Sequence, residues 1–114
     1  MTLRQQQSLF VRLTSKLIDW ATENGYELTY GETWRSDETA QLDAEEGKGI
    51  VNSLHRLRLA VDWNLFRDGV LLAEVEDYRP LAEYWKTLHP LCRAGIDFAK
   101  KDAVHFSLEW QGIR

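Results

Sequence analysis

Cysteine is almost missing from this 114-residue chain, where Cys92 stands alone. One thiol closes no intramolecular disulfide and builds no cysteine-based zinc site. Proline is nearly as scarce, at two residues. No Pro-, Gly- or Ser-rich linker, repeat or low-complexity tract divides the chain, so one domain over residues 1–114 is expected. Lysine and arginine form no cluster and the formal net charge is −4. A nucleic-acid partner is therefore not expected, because neutralising phosphates takes a basic footprint. No apolar run reaches membrane-spanning length, so no membrane insertion is expected. The opening MTLRQQQSLFVRL is polar where a secretory leader carries its apolar stretch. That predicts synthesis in the cytoplasm without a signal peptide and leaves the place of action open.

What the chain does have is material for a core: 44% of its residues are hydrophobic, among them five Trp, four Tyr and four Phe. Leu9, Phe10, Leu13, Leu17, Trp20 and Ala21 recur at steps of three and four, predicting a helix over residues 3–23 that stops at Asn24-Gly25. YELTYGETW, residues 26–34, reads as a strand. Ser36 opens a second predicted helix that runs to about Glu46, with Asp37 and Glu38 in its first turn, and the loop GKGIVNS follows.

From Leu57 to Phe66 the sequence alternates: Leu57, Leu59, Val61, Trp63 and Leu65 face one side, Arg58, Ala60, Asp62 and Asn64 the other. Arg67-Asp68-Gly69 predicts a hairpin turn into Val70, Leu71 and Leu72. Asp77 is a candidate cap for a helix with Pro80 in its early part, closing before Pro90. VHFSLEW alternates again, with His105, Ser107 and Glu109 on its polar side. This order predicts an α+β fold with a central antiparallel sheet flanked by helices. Trp34, Trp63, Trp85 and Trp110 are expected mostly in the core, with room for one to line a cleft.

Asp62 is an ionisable group inside the apolar run LAVDWNLF. It falls on the polar face of its strand, as His105 does on the last one. A shared sheet would point both into one cleft. His55 precedes Asp62 by seven residues, and a straight strand of that length spans about 23 Å. If the two meet at one ion, His55 must sit in the loop before the strand, with the chain curling back; the Gly47–Ser53 loop allows this. Histidine and aspartate form a normal zinc ligand set. The same residues also read as surface or hydrogen-bonded polar groups, with Asp62 bonded to a neighbouring turn. His89, in LHPLC, reads as a helix-terminal histidine.

Ser53-Leu54-His55 followed by Ala60-Val61-Asp62 resembles the S-x-H-x-x-G-x-A-x-D signature of the zinc D-alanyl-D-alanine metallopeptidases. These include D-Ala-D-Ala carboxypeptidases, vancomycin-resistance dipeptidases and phage L-alanyl-D-glutamate endolysins. Asp102-Ala103-Val104-His105-Phe106 is similar to the family's acidic-x-x-H-aromatic element. Trp34-Arg35-Ser36 is similar to its strand-end arginine followed by Ser or Thr, and Gly95-Ile96-Asp97-Phe98 to its G-G-D-F. Two positions depart: Arg58 stands where the signature has glycine, and Ala94 where a tryptophan precedes G-G-D-F.

The resemblance implies zinc held by His55, Asp62 and His105, with a fourth position for water. It implies Asp102 as general base and acid, and Arg35 on the scissile carbonyl or a substrate carboxylate. Ser53 would bind substrate or position the loop, and Asp97 would be a hydrogen-bond partner of a ligand histidine. Taken alone, Asp102 also reads as a turn residue after Lys100-Lys101, and Arg35 as a solvated arginine at a helix start, a position that suits cations poorly. The implied substrate is a peptidoglycan stem peptide. The chain looks most like the phage or prophage endolysin branch, a monomer cutting L-alanyl-D-glutamate or a nearby bond once it reaches the wall. A D-Ala-D-Ala carboxypeptidase and a non-catalytic zinc-binding cell-wall or virion module are the alternatives.

Overall fold

The computed structural model describes residues 1–36 and 53–114. Helix α1 spans Leu3–Glu23, the bounds the periodicity predicts. Its start is fixed by a reciprocal cap: the Gln5 N–H donates to Thr2 Oγ1 at 3.1 Å and the Thr2 N–H to Gln5 Oε1 at 2.7 Å. Its end is a Schellman turn. Gly25 takes φ +82°, and the Tyr26 and Gly25 N–H groups close on the Ala21 and Thr22 carbonyls at 2.9 and 3.2 Å. The buried stripe is Gln6, Phe10, Leu13, Leu17 and Ala21. Gln6 is the one polar member, and its Nε2 donates to the Glu109 carbonyl at 2.9 Å.

Among the described residues the sheet has five strands: β1 (Glu27–Tyr30), β2 (Ala60–Arg67), β3 (Val70–Leu72), β4 (Cys92–Ala94) and β5 (His105–Leu108). All pairings are antiparallel, in the order β1-β2-β5-β4, with β3 also on β2. β2 is the organising strand. β1 runs along one edge of it, while β5 pairs with its first half and β3 with its second half on the other edge. The β2–β3 hairpin turns through Asp68 at φ +53° and Gly69 at φ +75°, the two positive values that a two-residue type I′ turn requires.

Between β3 and β4 lie a 3-10 turn, Val75–Tyr78, and helix α2, Arg79–Leu88. Asp77 does not cap α2 as the sequence suggests. It sits inside the 3-10 turn and its Oδ2 accepts the Glu74 N–H at 3.1 Å, while Pro80 occupies the first turn of α2.

Val61, Trp63 and Leu65 of β2 and Phe106 and Leu108 of β5 are buried in one core with α1 and α2. Trp85 is its hub: it meets Phe10 and Phe106 edge-on, and its Nε1 donates to the carbonyls of Arg93 and Ser107 at 3.0 and 3.2 Å. Both described helices thus take one face of the sheet, leaving Asp62 and His105, directly paired across β2 and β5, on the other. Among the described residues no helix is long and apolar enough to cross a membrane.

Three expectations change. The strand predicted from Leu57 begins at Ala60, because residues 53–59 form a turn. Trp63 and Trp85 are core residues, but Trp34 is 51% exposed. β4 was not expected, being three residues long with no periodic signal. Of the helix expected from Ser36 to Glu46 only Ser36 is described; the rest of it, and the loop after it up to Asn52, lie outside the described residues.

Candidate metal centre

His55 is aimed by local backbone geometry. Its N–H donates to Ser53 Oγ at 3.2 Å. The Leu59 N–H closes on the Leu54 carbonyl at 2.9 Å and the Arg58 N–H on the His55 carbonyl at 3.2 Å. These two bonds form a second Schellman turn, with Arg58 at its left-handed position, φ +58°. Glycine takes that conformation freely; any other residue pays roughly 1–2 kcal/mol. Leu54, fully buried, pins the turn to the core. This turn, and not an extended strand, brings His55 back over the start of β2.

Asp62 is held from both sides. Its N–H donates to the Glu32 carbonyl at 2.7 Å, and its carbonyl accepts the Gly31 N–H at 2.8 Å. Asp62 Oδ1 lies 3.2 Å from His55 Nε2 and 3.6 Å from His105 Nδ1. One donor atom from each of the three residues lies within 4.8 Å of the others. His55 and His105 are 3% and 7% exposed.

The hydrogen bonding of this cluster calls for a cation. His55 Nδ1 lies 3.0 Å from the Thr33 carbonyl, which can only accept, so the proton is assigned to Nδ1 and the Nε2 lone pair faces Asp62. Two acceptors then confront each other across 3.2 Å and repel unless a proton or metal ion lies between them. Asp62 Oδ1 and His105 Nε2 are buried and complete no hydrogen bond, an arrangement proteins rarely leave without a partner.

The electrostatics agree. Burial would raise the Asp62 pKa, yet the imidazoles of His105 and His55 outweigh it and hold the carboxyl at about 2. Burial would lower that of His55, and the Asp62 carboxylate outweighs it, leaving the pKa raised. Two imidazoles and a carboxylate are a normal donor set for zinc and related divalent ions, and three ligands leave a position open. The residues present fit such an ion.

Asp102 reaches the same face through a tight backbone contact. Its N–H donates to the Gly95 carbonyl at 2.9 Å, and its carbonyl accepts the His105 N–H at 3.0 Å. The side chain is exposed at the rim. Protein packed around the carboxyl, with the Asp62 charge, raises its pKa. A Cβ on Gly95 would overlap the Asp102 carbonyl and come within 2.9 Å of His105 Cβ. Backbone cannot yield there as a flexible side chain would. Gly95→Ala should therefore cost about 1–3 kcal/mol of stability, as overpacking does, and weaken metal retention; chemical denaturation with and without zinc measures both.

Arg35 joins the cluster from the end of the first strand segment. Its N–H donates to the His55 carbonyl at 3.3 Å, and its Nε lies 2.5 Å from Glu32 Oε1. No protein-family model and no curated protein sequence matches the chain. Among solved structures, the crystal structure of Serratia marcescens L-Ala D-Glu endopeptidase ChiX superposes with a TM-score of 0.74 at 21% sequence identity, covering 88% of this chain and 77% of that one. The two chains share a fold.

Within this fold, the residues singled out from sequence separate into groups. His55, Asp62 and His105 converge, with Asp102 and Arg35 beside them. Ser53 is buried and its hydroxyl is engaged by the His55 N–H, so it holds the turn. The Asp97 carboxylate bonds Lys86 Nζ at 2.8 Å, not a histidine; its neighbour Phe98 lies against the His105 ring, centroids 5.3 Å apart. His89 ends α2 and its Nδ1 accepts the Leu91 N–H at 3.1 Å. Glu32 and Thr33 escaped the sequence reading. Glu32 acts through its carboxylate on Arg35 and its carbonyl on Asp62, and Thr33 through its carbonyl on His55. A backbone carbonyl leaves no mark in residue type, although Glu32 three residues before Arg35 was a readable charge pair.

Proposed function

We propose that the chain is a zinc-dependent peptidase that hydrolyses peptidoglycan stem peptides at an L-alanyl-D-glutamate or nearby bond, as a single-domain monomer acting on the wall after release from the cytoplasm. The observation that carries this reading is the convergence of His55, Asp62 and His105, one donor atom each, within 4.8 Å. The fold shared with an L-Ala D-Glu endopeptidase supports the choice of substrate class.

In this mechanism His55, Asp62 and His105 hold the ion, and the Thr33 carbonyl keeps the His55 proton on Nδ1 so that Nε2 faces inward. When bound, zinc supplies Lewis acidity that makes water nucleophilic near neutral pH. Asp102 accepts the proton that water loses as it adds to the peptide carbonyl, then delivers it to the departing amine. Its exposed position at the rim suits both transfers. Arg35 stabilises the oxyanion of the tetrahedral intermediate; its tie to Glu32 fixes the guanidinium in advance, as electrostatic stabilisation requires.

Digesting peptidoglycan fragments with the zinc-loaded protein and weighing the products by mass spectrometry tests the reading. New D-glutamyl amino termini are expected. Release of terminal D-alanine would reassign the enzyme as a carboxypeptidase, and unchanged fragments would refute the peptidase reading.

A further inference from the structure

A cavity of about 660 Å³ lies at β4, the outer strand of the described sheet, with Lys86, Ala94, Asp97, Phe98 and Ala99 among the residues on its wall. It borders the metal cluster through one side chain: Phe98 lines the cavity and also lies against the His105 ring, centroids 5.3 Å apart. Arg93 is on the wall too. It pairs in register with Ser107, two residues along β5 from His105, so its side chain leaves the sheet on the face that carries Asp62 and His105. The cavity therefore reaches round the sheet edge onto the metal-bearing face.

Its chemistry is divided. The floor is apolar: Ala94 is buried and Phe98 half-buried. Alanine at 94, where the signature that this segment resembles carries tryptophan, leaves the space open. The rim holds an ion pair, Lys86 Nζ on Asp97 Oδ2 at 2.8 Å, both side chains partly exposed. Such a pair is weakly held in water and exchanges partners readily. An ammonium beside a carboxylate complements a ligand end that carries both charges, each making a charge-assisted hydrogen bond.

The reach fits as well. One van der Waals contact beyond the Phe98 ring puts the cavity roughly 9 Å from the His105 ring centre. A γ-linked D-glutamyl residue carries a stem peptide about 9 Å from the scissile carbonyl carbon to the Cα of the next residue. Resting on the peptidase reading above, we infer that this cavity is the subsite for the residue after D-glutamate, and that it takes a short methylene chain ending in an amino-acid zwitterion, as in meso-diaminopimelate. Phe98 supports the methylenes, Asp97 takes the ammonium and Lys86 the carboxylate. Asp97 is then a specificity-determining residue.

The test compares three peptides on the zinc-loaded full chain: L-alanyl-γ-D-glutamyl followed by meso-diaminopimelate, by L-lysine or by L-alanine. The diaminopimelate peptide should lead the alanine one by roughly tenfold or more in kcat/KM, the range for a charge-assisted contact, with the lysine peptide between them. Two variants should bring that preference down toward unity. Asp97→Asn removes the partner of the ammonium, and Ala99→Trp fills the cavity from its rim. Both positions are exposed, so each variant should fold, with its Tm within a few degrees of the parent. Hydrolysis without a diaminopimelate preference, a lysine peptide cut equally well, or a preference that survives in both variants would overturn the subsite alone. No hydrolysis of any of the three would overturn the peptidase reading and the subsite with it.

Discussion

Asp62→Ala is expected to abolish stoichiometric zinc retention while leaving a folded protein. Loss of outer hydrogen-bond partners alone typically costs metal sites 10–100-fold in affinity, so loss of a ligand should cost at least about 100-fold. Asp62 is also the group against which both histidines are arrayed, at 3.2 and 3.6 Å. Without it the imidazoles no longer share a carboxylate. The parent chain, at a zinc concentration about 100 times its Kd, should gain about 2.7 kcal/mol by mass action. For a domain of this size that is a rise in Tm of roughly 10 °C. Asp62→Ala, His55→Ala and His105→Ala should each lose most of this rise. A thermal melt of the four proteins, with and without zinc, measures the effect; an undiminished shift in Asp62→Ala would remove it from the ligand set.

Asp102→Asn should behave in the opposite sense. The amide is nearly isosteric, and Asp102 is anchored through backbone bonds to Gly95 and His105 that the change leaves alone. Zinc binding and its thermal shift should persist. The amide cannot take a proton from water, so kcat/KM should fall by about 10²–10⁴, the usual worth of a positioned acid–base group. That corresponds to about 3–5 kcal/mol of lost transition-state stabilisation. Single-turnover assays on zinc-loaded protein resolve this, and ordinary turnover in Asp102→Asn would mean that another group moves the proton.

Much of the scaffold was legible because periodicity and punctuation agree. Leu13, Leu17 and Ala21 with Asn24-Gly25 fix α1, and Asp68-Gly69 fixes the hairpin. The strand-face argument also worked where it mattered, since a period of two across paired strands puts Asp62 opposite His105. The position of His55 followed only from distance: a metal partner of Asp62 could not lie on the same straight strand. The device that places it was not legible. A Schellman turn ending on arginine looks, in sequence, like two more residues of the Leu57–Phe66 alternation.

Tertiary context hid the rest. Trp34 reads as core by pattern but stands half-exposed under Arg58. β4 forms because β5 offers it an edge, not because Cys92–Ala94 favours a strand. Gly95 looked like a remnant of a motif, and its role is steric, giving the Asp102 carbonyl room to approach.

Equilibrium dialysis of the purified chain against zinc, followed by elemental analysis, tests the central claim most directly. One zinc per chain is predicted, removed by chelator and restored on re-addition. A parent chain that binds no stoichiometric zinc would contradict the account, leaving His55, Asp62 and His105 as a buried, proton-bridged polar cluster.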